Sequence, residues 1–136
     1  MKTRRLIEGS TELVVPESIE PSKYPSFFNP EGKFVRDVSL VCYKIFASTM
    51  VGKGNDGDLS FSDCLSGTGA RGIRVANEAL EFRKIFLNDI SSVSIELAQR
   101  SAQLNHVEEK CYFSNEETCG FLATRLGNQG ERFDVV

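Results

Sequence analysis

Three glycines at fixed offsets, with a carboxylate before them and another after, are the part of this sequence that could do chemistry. They lie in Ser62-Asp63-Cys64-Leu65-Ser66-Gly67-Thr68-Gly69-Ala70-Arg71-Gly72, between a strand-like run and a helical one. A glycine-rich segment carries meaning in that setting, where a strand ends and a helix opens. Gly67 and Gly69 allow a tight turn and close approach of a ligand to the backbone. The helix start behind them offers unpaired N–H groups to an anionic or polar group. Asp89 stands twenty residues beyond Gly69, where the next strand-like run ends in Asn88-Asp89. A carboxylate there can accept both hydroxyls of a ribose. The implied chemistry is the holding of a nucleoside-bearing cofactor.

The elements that must position these residues follow from hydrophobic periodicity and turn residues. Leu59 to Leu65 reads as a strand, Ala70 to Leu80 as a helix and Lys84 to Asn88 as a strand. Ser92 to Asn105 is a helix with Ser91 as N-cap, Cys111 to Ser114 a strand, Glu116 to Leu126 a helix, and Phe133 to Val136 the start of a fourth strand. Strands and helices alternating at this spacing imply parallel βαβ units. Upstream, Lys2 to Ile7 and Glu12 to Val15 flank Glu8-Gly9-Ser10-Thr11, a hairpin turn. Pro16, Pro21, Pro25 and Pro30 then exclude regular helix, while Tyr24, Phe27 and Phe28 require something to pack on. From Gly32 to Thr49 the pattern is helical, with Phe34, Val38, Val41 and Ile45 on one stripe and Arg36, Asp37 and Lys44 off it. Gly52 to Asp58 is a polar break. The expected organisation is a hairpin, Pro-rich loop and helix over residues 1–50, then a Rossmann-like half-domain over 51–136 that stops at its fourth strand.

With 136 residues, 40% hydrophobic and 26% charged, the chain has the balance of one ordinary globular domain. No apolar run reaches the length that crosses a bilayer. The basic start, Met1 to Leu6, runs into Ile7-Glu8-Gly9-Ser10 where a signal peptide needs apolar residues, so a cytoplasmic location is expected, or a nuclear one in a eukaryote. Cys42, Cys64, Cys111 and Cys119 form no CxxC pair, and the lone His106 completes no zinc set. Cys64 and Cys111 read as small buried thiols and His106 as a solvated or capping residue; no metal is expected. The net charge of −3 is a poor match for a dedicated nucleic-acid binder.

Read literally, Gly67-x-Gly69-x-x-Gly72 is a dinucleotide fingerprint, so an NAD enzyme competes, as does a strand–helix turn with no ligand. Asp63 and Arg71 argue against the first, and the pairing of Asp63 with Asp89 against the second. Asp63 sits at the end of the first strand, where methyltransferases carry an acidic residue facing the methionine amine and dinucleotide folds an apolar one. Arg71, a bulky cation in the first helical turn, is unusual for a pyrophosphate loop.

Phe27-Phe28-Asn29-Pro30, Arg36-Asp37, the stretch Asp63 to Arg74, and Asn88-Asp89-Ile90-Ser91 occur in that order. The succession resembles the tRNA N2,N2-dimethylguanosine methyltransferase family, which acts on guanine 26, and the resemblance covers nearly the whole chain. It implies a class I methyltransferase fold, with the first half of a doubly wound α/β sheet preceded by the hairpin and helix, S-adenosyl-L-methionine as cofactor and tRNA as partner. On this resemblance Arg36 and Arg71 hold the methionine end of the cofactor with Asp63 near its amine, and Gly67 and Gly69 shape the loop. Asp89 binds the ribose, Glu117 with the backbone at Thr118 recognises the adenine, and Phe27 stacks on the guanine. Glu stands where the family often has Asp, which leaves Glu116 and Glu117 both open. The family's catalytic aspartate lies in an Asp-Pro-Phe-Gly segment expected after Val136. The chain is therefore expected to be an N-terminal fragment without transfer activity of its own. A class I fragment for another substrate and a non-catalytic cofactor-binding or interaction module are the alternatives. Each residue also has a structural rival: Arg36 as a solvated charge, Phe27 and Phe28 as core, Glu116 and Glu117 as first-turn helix residues.

Overall fold

The N-terminal hairpin pairs β1 (Thr3–Glu8) antiparallel with β2 (Thr11–Pro16) across Gly9-Ser10, and Gly9 takes the left-handed conformation that the tight turn needs. The computed structural model describes residues 1–17, 26–54, 58–128, 130 and 132–136; Pro21, Tyr24 and Pro25 lie outside the described residues. β1 exposes Arg4 and Arg5, charges that blunt a free edge, whereas Leu13, Val14 and Val15 of β2 are buried. β2 leans on the helix α3 (Ser92–Leu104) through side chains that stand in for a missing strand. The Val14 N–H donates to Ser101 Oγ at 2.9 Å. Asn105 both donates to the Glu12 carbonyl at 2.7 Å and accepts from the Glu12 N–H at 2.9 Å.

Asn29-Pro30 opens the next element. The Asn29 side chain accepts from the Glu31 N–H at 2.9 Å, Pro30 starts a single 3-10 turn, and α1 (Lys33–Gly52) follows. The helix runs past the boundary expected at residue 50. Its apolar stripe differs from the reading in one respect: Phe34, Val38, Val41 and Ile45 point outward and are exposed. Leu40 and Ala47 are buried instead, with Tyr43, Phe46 and Met50 packed against the core. The helix has two apolar faces, and periodicity alone does not say which one the sheet covers.

The central sheet is parallel, in the order β3 (Leu59–Asp63), β4 (Phe82–Asn88), β5 (Cys111–Ser114). α2 (Ala70–Glu78) connects the first pair and α3 the second. Leu59, Phe61, Ile85, Leu87 and Cys111 face the helices and join Leu13, Val15, Phe28 and Leu40 in one core. The Tyr43 ring meets Phe61 edge-on at 5.1 Å. Burial pushes the Cys111 thiol up to about 12, as expected for an inert core cysteine. Cys64 is only half-buried, because β3 ends at Asp63 and the thiol belongs to the following turn, 3.4 Å from Ser62 Oγ. His106 ends α3 in the left-handed conformation, its N–H donating to the Gln103 carbonyl at 3.2 Å.

The expected fourth strand is present as a single parallel bridge between Val135 and Phe61 on the free edge of β3. Asp134 fastens it, accepting from the Ser60 N–H at 2.8 Å and the Ser60 hydroxyl at 2.9 Å. The helix expected from Glu116 is shorter, α4 (Thr118–Leu122), and continues as a wider turn over Ala123–Asn128. Among the described residues no helix is long and apolar enough to cross a membrane, and no cluster of His, Cys, Asp and Glu could hold a metal ion.

Candidate functional site

β3 delivers Asp63 to the carboxyl edge of the sheet, and the loop beyond it turns back through Gly67 and Gly69, both at positive φ. Asp89, at the end of β4, ties this loop down: one carboxylate oxygen accepts from the Gly67 N–H at 2.8 Å and the other from the Ser91 N–H at 2.9 Å. Both oxygens keep lone pairs for a ligand. The glycines divide their work. A Cβ on Gly69 would come within 2.6 Å of Ala98 Cβ, and one on Gly72 within 2.8 Å of Leu87 Cδ2. Those two glycines therefore let α2 seat on β4 and α3, and Gly67 is the one that lines the cleft.

In front of the loop lies a cleft of about 340 Å³. Phe27, Phe28, Asn29, Gly32, Val35 and Arg36 form one wall; Asp63, Leu65, Ser66, Gly67, Ala70 and Arg71 form the other. The structure thus brings together Phe27, Arg36, Asp63, Gly67 and Arg71, with Asp89 bonded to the same loop. Of the two phenylalanines, Phe28 is core, with the Arg36 guanidinium 5.0 Å from its ring centroid, while Phe27 is 56% exposed at the mouth.

Arg36 is not a solvated charge. Its Nε and one terminal nitrogen donate to the two carboxylate oxygens of Glu8 at 2.8 and 2.6 Å, and the other terminal nitrogen to the Asn29 carbonyl at 3.1 Å. Glu8 is 2% exposed, and Arg74, 4% exposed, lies 3.5 Å from it. Arg74 also holds Asp37 at 2.5 Å and Glu78 at 3.0 Å. Burial works against the Arg74 cation, but the bonds from Glu78 and Asp37 outweigh it and raise its pKa above the ordinary arginine value. Asp37 is held below the usual carboxylate range by Lys33 and then Arg74.

Two buried polar atoms in the cleft, Ser66 Oγ and Arg71 Nε, have no hydrogen-bond partner among the described residues. Buried donors are rarely left unpaired, and both residues line the cleft, so the pair can serve an anionic group there after a small side-chain movement. Beside them, burial pushes the Asp63 carboxyl above its usual value, the Arg71 cation and the Leu65 N–H pull it back, and the Asp89 charge pushes it further up. Unpaired donors next to a carboxylate suit the two charges of an amino acid zwitterion.

Sequence reasoning passed over Asn88. It is fully buried and clamps all three strand ends. Its amide nitrogen donates to the Cys64 carbonyl at 3.3 Å and the Glu116 carbonyl at 3.0 Å; its oxygen accepts from the Ser114 hydroxyl at 2.9 Å and the Glu116 N–H at 3.1 Å. The available signal was an amide side chain at the end of an apolar strand, costly unless every group is bonded. Thr118 adds a hydroxyl bond to the same Cys64 carbonyl at 3.1 Å. Glu117 is the N-cap of α4, accepting from the Gly120 N–H at 3.2 Å, and the N–H groups of Cys119 and Gly120 hold its carboxyl below the usual range. Glu116 is engaged through its backbone. The cleft's lining includes neither Glu117 nor Thr118.

Comparison with known proteins adds independent findings. The model of the family described as "N2,N2-dimethylguanosine tRNA methyltransferase" matches residues 9–136. The tRNA (guanine(26)-N(2))-dimethyltransferase of Methanothermobacter thermautotrophicus is 33% identical over 95% of this chain and 31% of its own length. Among solved structures, Trm1 from Pyrococcus horikoshii in complex with S-adenosyl-L-methionine superposes with a TM-score of 0.67 and 26% identity, over 90% of this chain and 33% of that one. A SAM-dependent methyltransferase from Agrobacterium tumefaciens superposes at 0.71 over 99% of this chain and 39% of that one, with 18% identity, and shows the fold alone. The chain spans about a third of the length of the curated relatives it matches.

Proposed function

The chain belongs to the N2,N2-dimethylguanosine tRNA methyltransferase family, and from that premise we propose that its cleft holds S-adenosyl-L-methionine for methyl transfer to the exocyclic N2 of guanine 26 in tRNA. The observation that carries this reading is the pair of buried unpartnered atoms, Ser66 Oγ and Arg71 Nε, beside Arg36 and Asp63. Ser66, Arg71 and Arg36 receive the carboxylate of the amino acid end, and Asp63 its ammonium. Asp89 accepts the ribose hydroxyls while it keeps the loop in place through Gly67. Asn88 and Thr118 fix the strand ends around the Cys64 carbonyl, which sets the distance between the glycine loop and the segment after β5. Glu117 meets the adenine from that segment once its side chain leaves the cap of α4.

Bound there, the cofactor supplies an electrophilic methyl group. An exocyclic amine conjugated to a purine is a weak nucleophile, so the protein must align it and accept its proton. Phe27, exposed at the mouth, offers a face on which an unstacked guanine can rest. Of the titratable groups lining the cleft, Arg36 and Arg71 are cations and Asp63 is engaged by the ammonium. The proton acceptor is assigned, on the family resemblance, to the Asp-Pro-Phe-Gly segment.

Titration calorimetry of the chain with S-adenosyl-L-methionine and with NAD tests the cofactor assignment. The expected result is saturable binding of the first and none of the second at equal concentration; preference for NAD sinks it. The substrate assignment is tested by methyl transfer from labelled cofactor to unmodified tRNA by a protein that contains this segment and the one after it. Label in N2-methylated guanosine at position 26 is expected; label elsewhere, or on protein, points to a different class I substrate.

A further inference from the structure

We propose that Glu8, at the end of the first hairpin strand, is a positioning residue for Arg36, so that the hairpin decides how the cleft grips the amino acid end of its ligand. The inference rests on the reading that the cleft takes S-adenosyl-L-methionine. Arg36 reaches the cleft from the first turns of α1, and a free arginine there would sample many rotamers. Glu8 removes that freedom with a two-pronged grip on Nε and one terminal nitrogen, at 2.8 and 2.6 Å. The carboxylate is itself immobile, being 2% exposed and lying 3.5 Å from the buried Arg74. The Asn29 carbonyl takes the remaining terminal nitrogen at 3.1 Å, and N–H groups are left over for a ligand.

Two glycines make room for this arrangement. A Cβ on Gly32 would come within 2.8 Å of the Arg36 terminal nitrogen and near nothing else that is rigid. A Cβ on Gly9, in the hairpin turn, would run into the Glu78 carboxylate and lie 2.9 Å from an Arg74 nitrogen. The start of α1 is thus fitted around the Arg36 guanidinium, and the hairpin tip around the Arg74–Glu78 pair of α2 that backs Glu8. The Arg36 cation is placed by long-range contacts, and α1 alone does not fix it.

The test compares two ligands on the 136-residue chain: S-adenosyl-L-methionine, and 5′-methylthioadenosine, which lacks the amino acid end. Arg36→Ala should weaken the first by about 10-fold or more, the loss expected for a hydrogen bond to a charged group, and change the second by less than about 2-fold. Glu8→Gln should reproduce that selective loss. Glu8→Asp, which keeps the buried charge but shortens its reach by one methylene, should do so if the glutamine variant fails to fold. Gly32→Ala should act in the same direction, since its backbone is in the ordinary helical region at φ −72° and its new methyl would press on the Arg36 terminal nitrogen that bonds the Asn29 carbonyl. Each of these changes should add nothing in an Arg36→Ala background. If Arg36→Ala is selective and the Glu8 variants are not, or if they weaken both ligands alike, Glu8 is merely structural and the proposal falls. If Arg36→Ala itself leaves S-adenosyl-L-methionine binding intact, the reading of the cleft falls with it.

Discussion

Arg36 and Glu117 are both charged residues near a helix start, and the resemblance gives both a hand in holding one cofactor. Arg36 is nearly enclosed, held by a buried carboxylate and a backbone carbonyl. Glu117 is exposed and, among the described residues, its side chain bonds to the start of its own short helix. The wall that α1 gives the cleft is thus assembled before any ligand arrives, by ion pairs that join distant segments. The segment after β5 is fixed instead through the Glu116 backbone, by Asn88, and through the Thr118 hydroxyl, and leaves the Glu117 side chain to local capping. One region fixes its charged side chain by distant partners and the other leaves it to its own helix, and substitutions should separate them.

The largest effect is expected at Arg74. Arg74→Met leaves the half-buried Glu78 without its cation, removes a partner of Asp37 and leaves Glu8 with Arg36 alone, which should lower the free energy of unfolding in urea by about 3 kcal/mol. Glu117→Gln should shift the unfolding midpoint far less; equal losses would abolish the contrast. Next is Asp89→Ala, which removes the acceptor of two ribose hydroxyls and frees the Gly67 N–H, at about 2–3 kcal/mol of affinity. Calorimetry should give that loss for S-adenosyl-L-methionine and methylthioadenosine alike, unlike the selective loss at Arg36. A selective loss would put Asp89 at the wrong end.

Phe27→Ala, in a catalytically competent protein containing this segment, should reduce transfer to tRNA by about 1–3 kcal/mol in kcat/KM, the worth of a stacked base. Cofactor affinity should stay unchanged. A collapse of cofactor binding would make Phe27 part of the wall. The smallest effect belongs to Asp63. Its folded pKa is raised, chiefly by burial, so the ionised carboxylate disfavours folding at pH values above that pKa. Asp63→Asn should therefore raise stability at neutral pH, with the gain vanishing as pH falls and the carboxyl protonates in both states. Denaturant midpoints at pH 7 and pH 4 measure it; a gain that grows toward acid would contradict the assigned direction.

What the sequence made legible is local. Ser91 was readable as a cap and does accept the Ser94 N–H at 3.3 Å. The strand at Cys111–Ser114 is where alternation put it, because turns, caps and periodicity act within a few residues. Glu8 was readable only as part of a turn, since its partner Arg36 is 28 residues away. Asn88 bonds to groups 24 to 28 residues off, and no spacing rule links them. The outward stripe of α1 was legible as helix but not as surface, because which apolar face is covered depends on where the sheet lies. Gly69 and Gly72 were legible as glycines of a ligand loop, yet Ala98 and Leu87 are what forbid a side chain there.

The reach of Glu8 also sets an order of events during synthesis. The hairpin needs only neighbours in sequence and can pair as soon as Pro16 has left the ribosome. Its carboxylate then waits in water, hydrated and unpaired, until Arg36 emerges, and it can be sealed in only when α2 brings Arg74 and Glu78. At about 5–20 residues per second, that interval lasts several seconds. A nascent chain stopped before residue 78 therefore holds the hairpin sequence without the residues that bury Glu8, and the apolar side chains of β2 stay uncovered until α3 has been made.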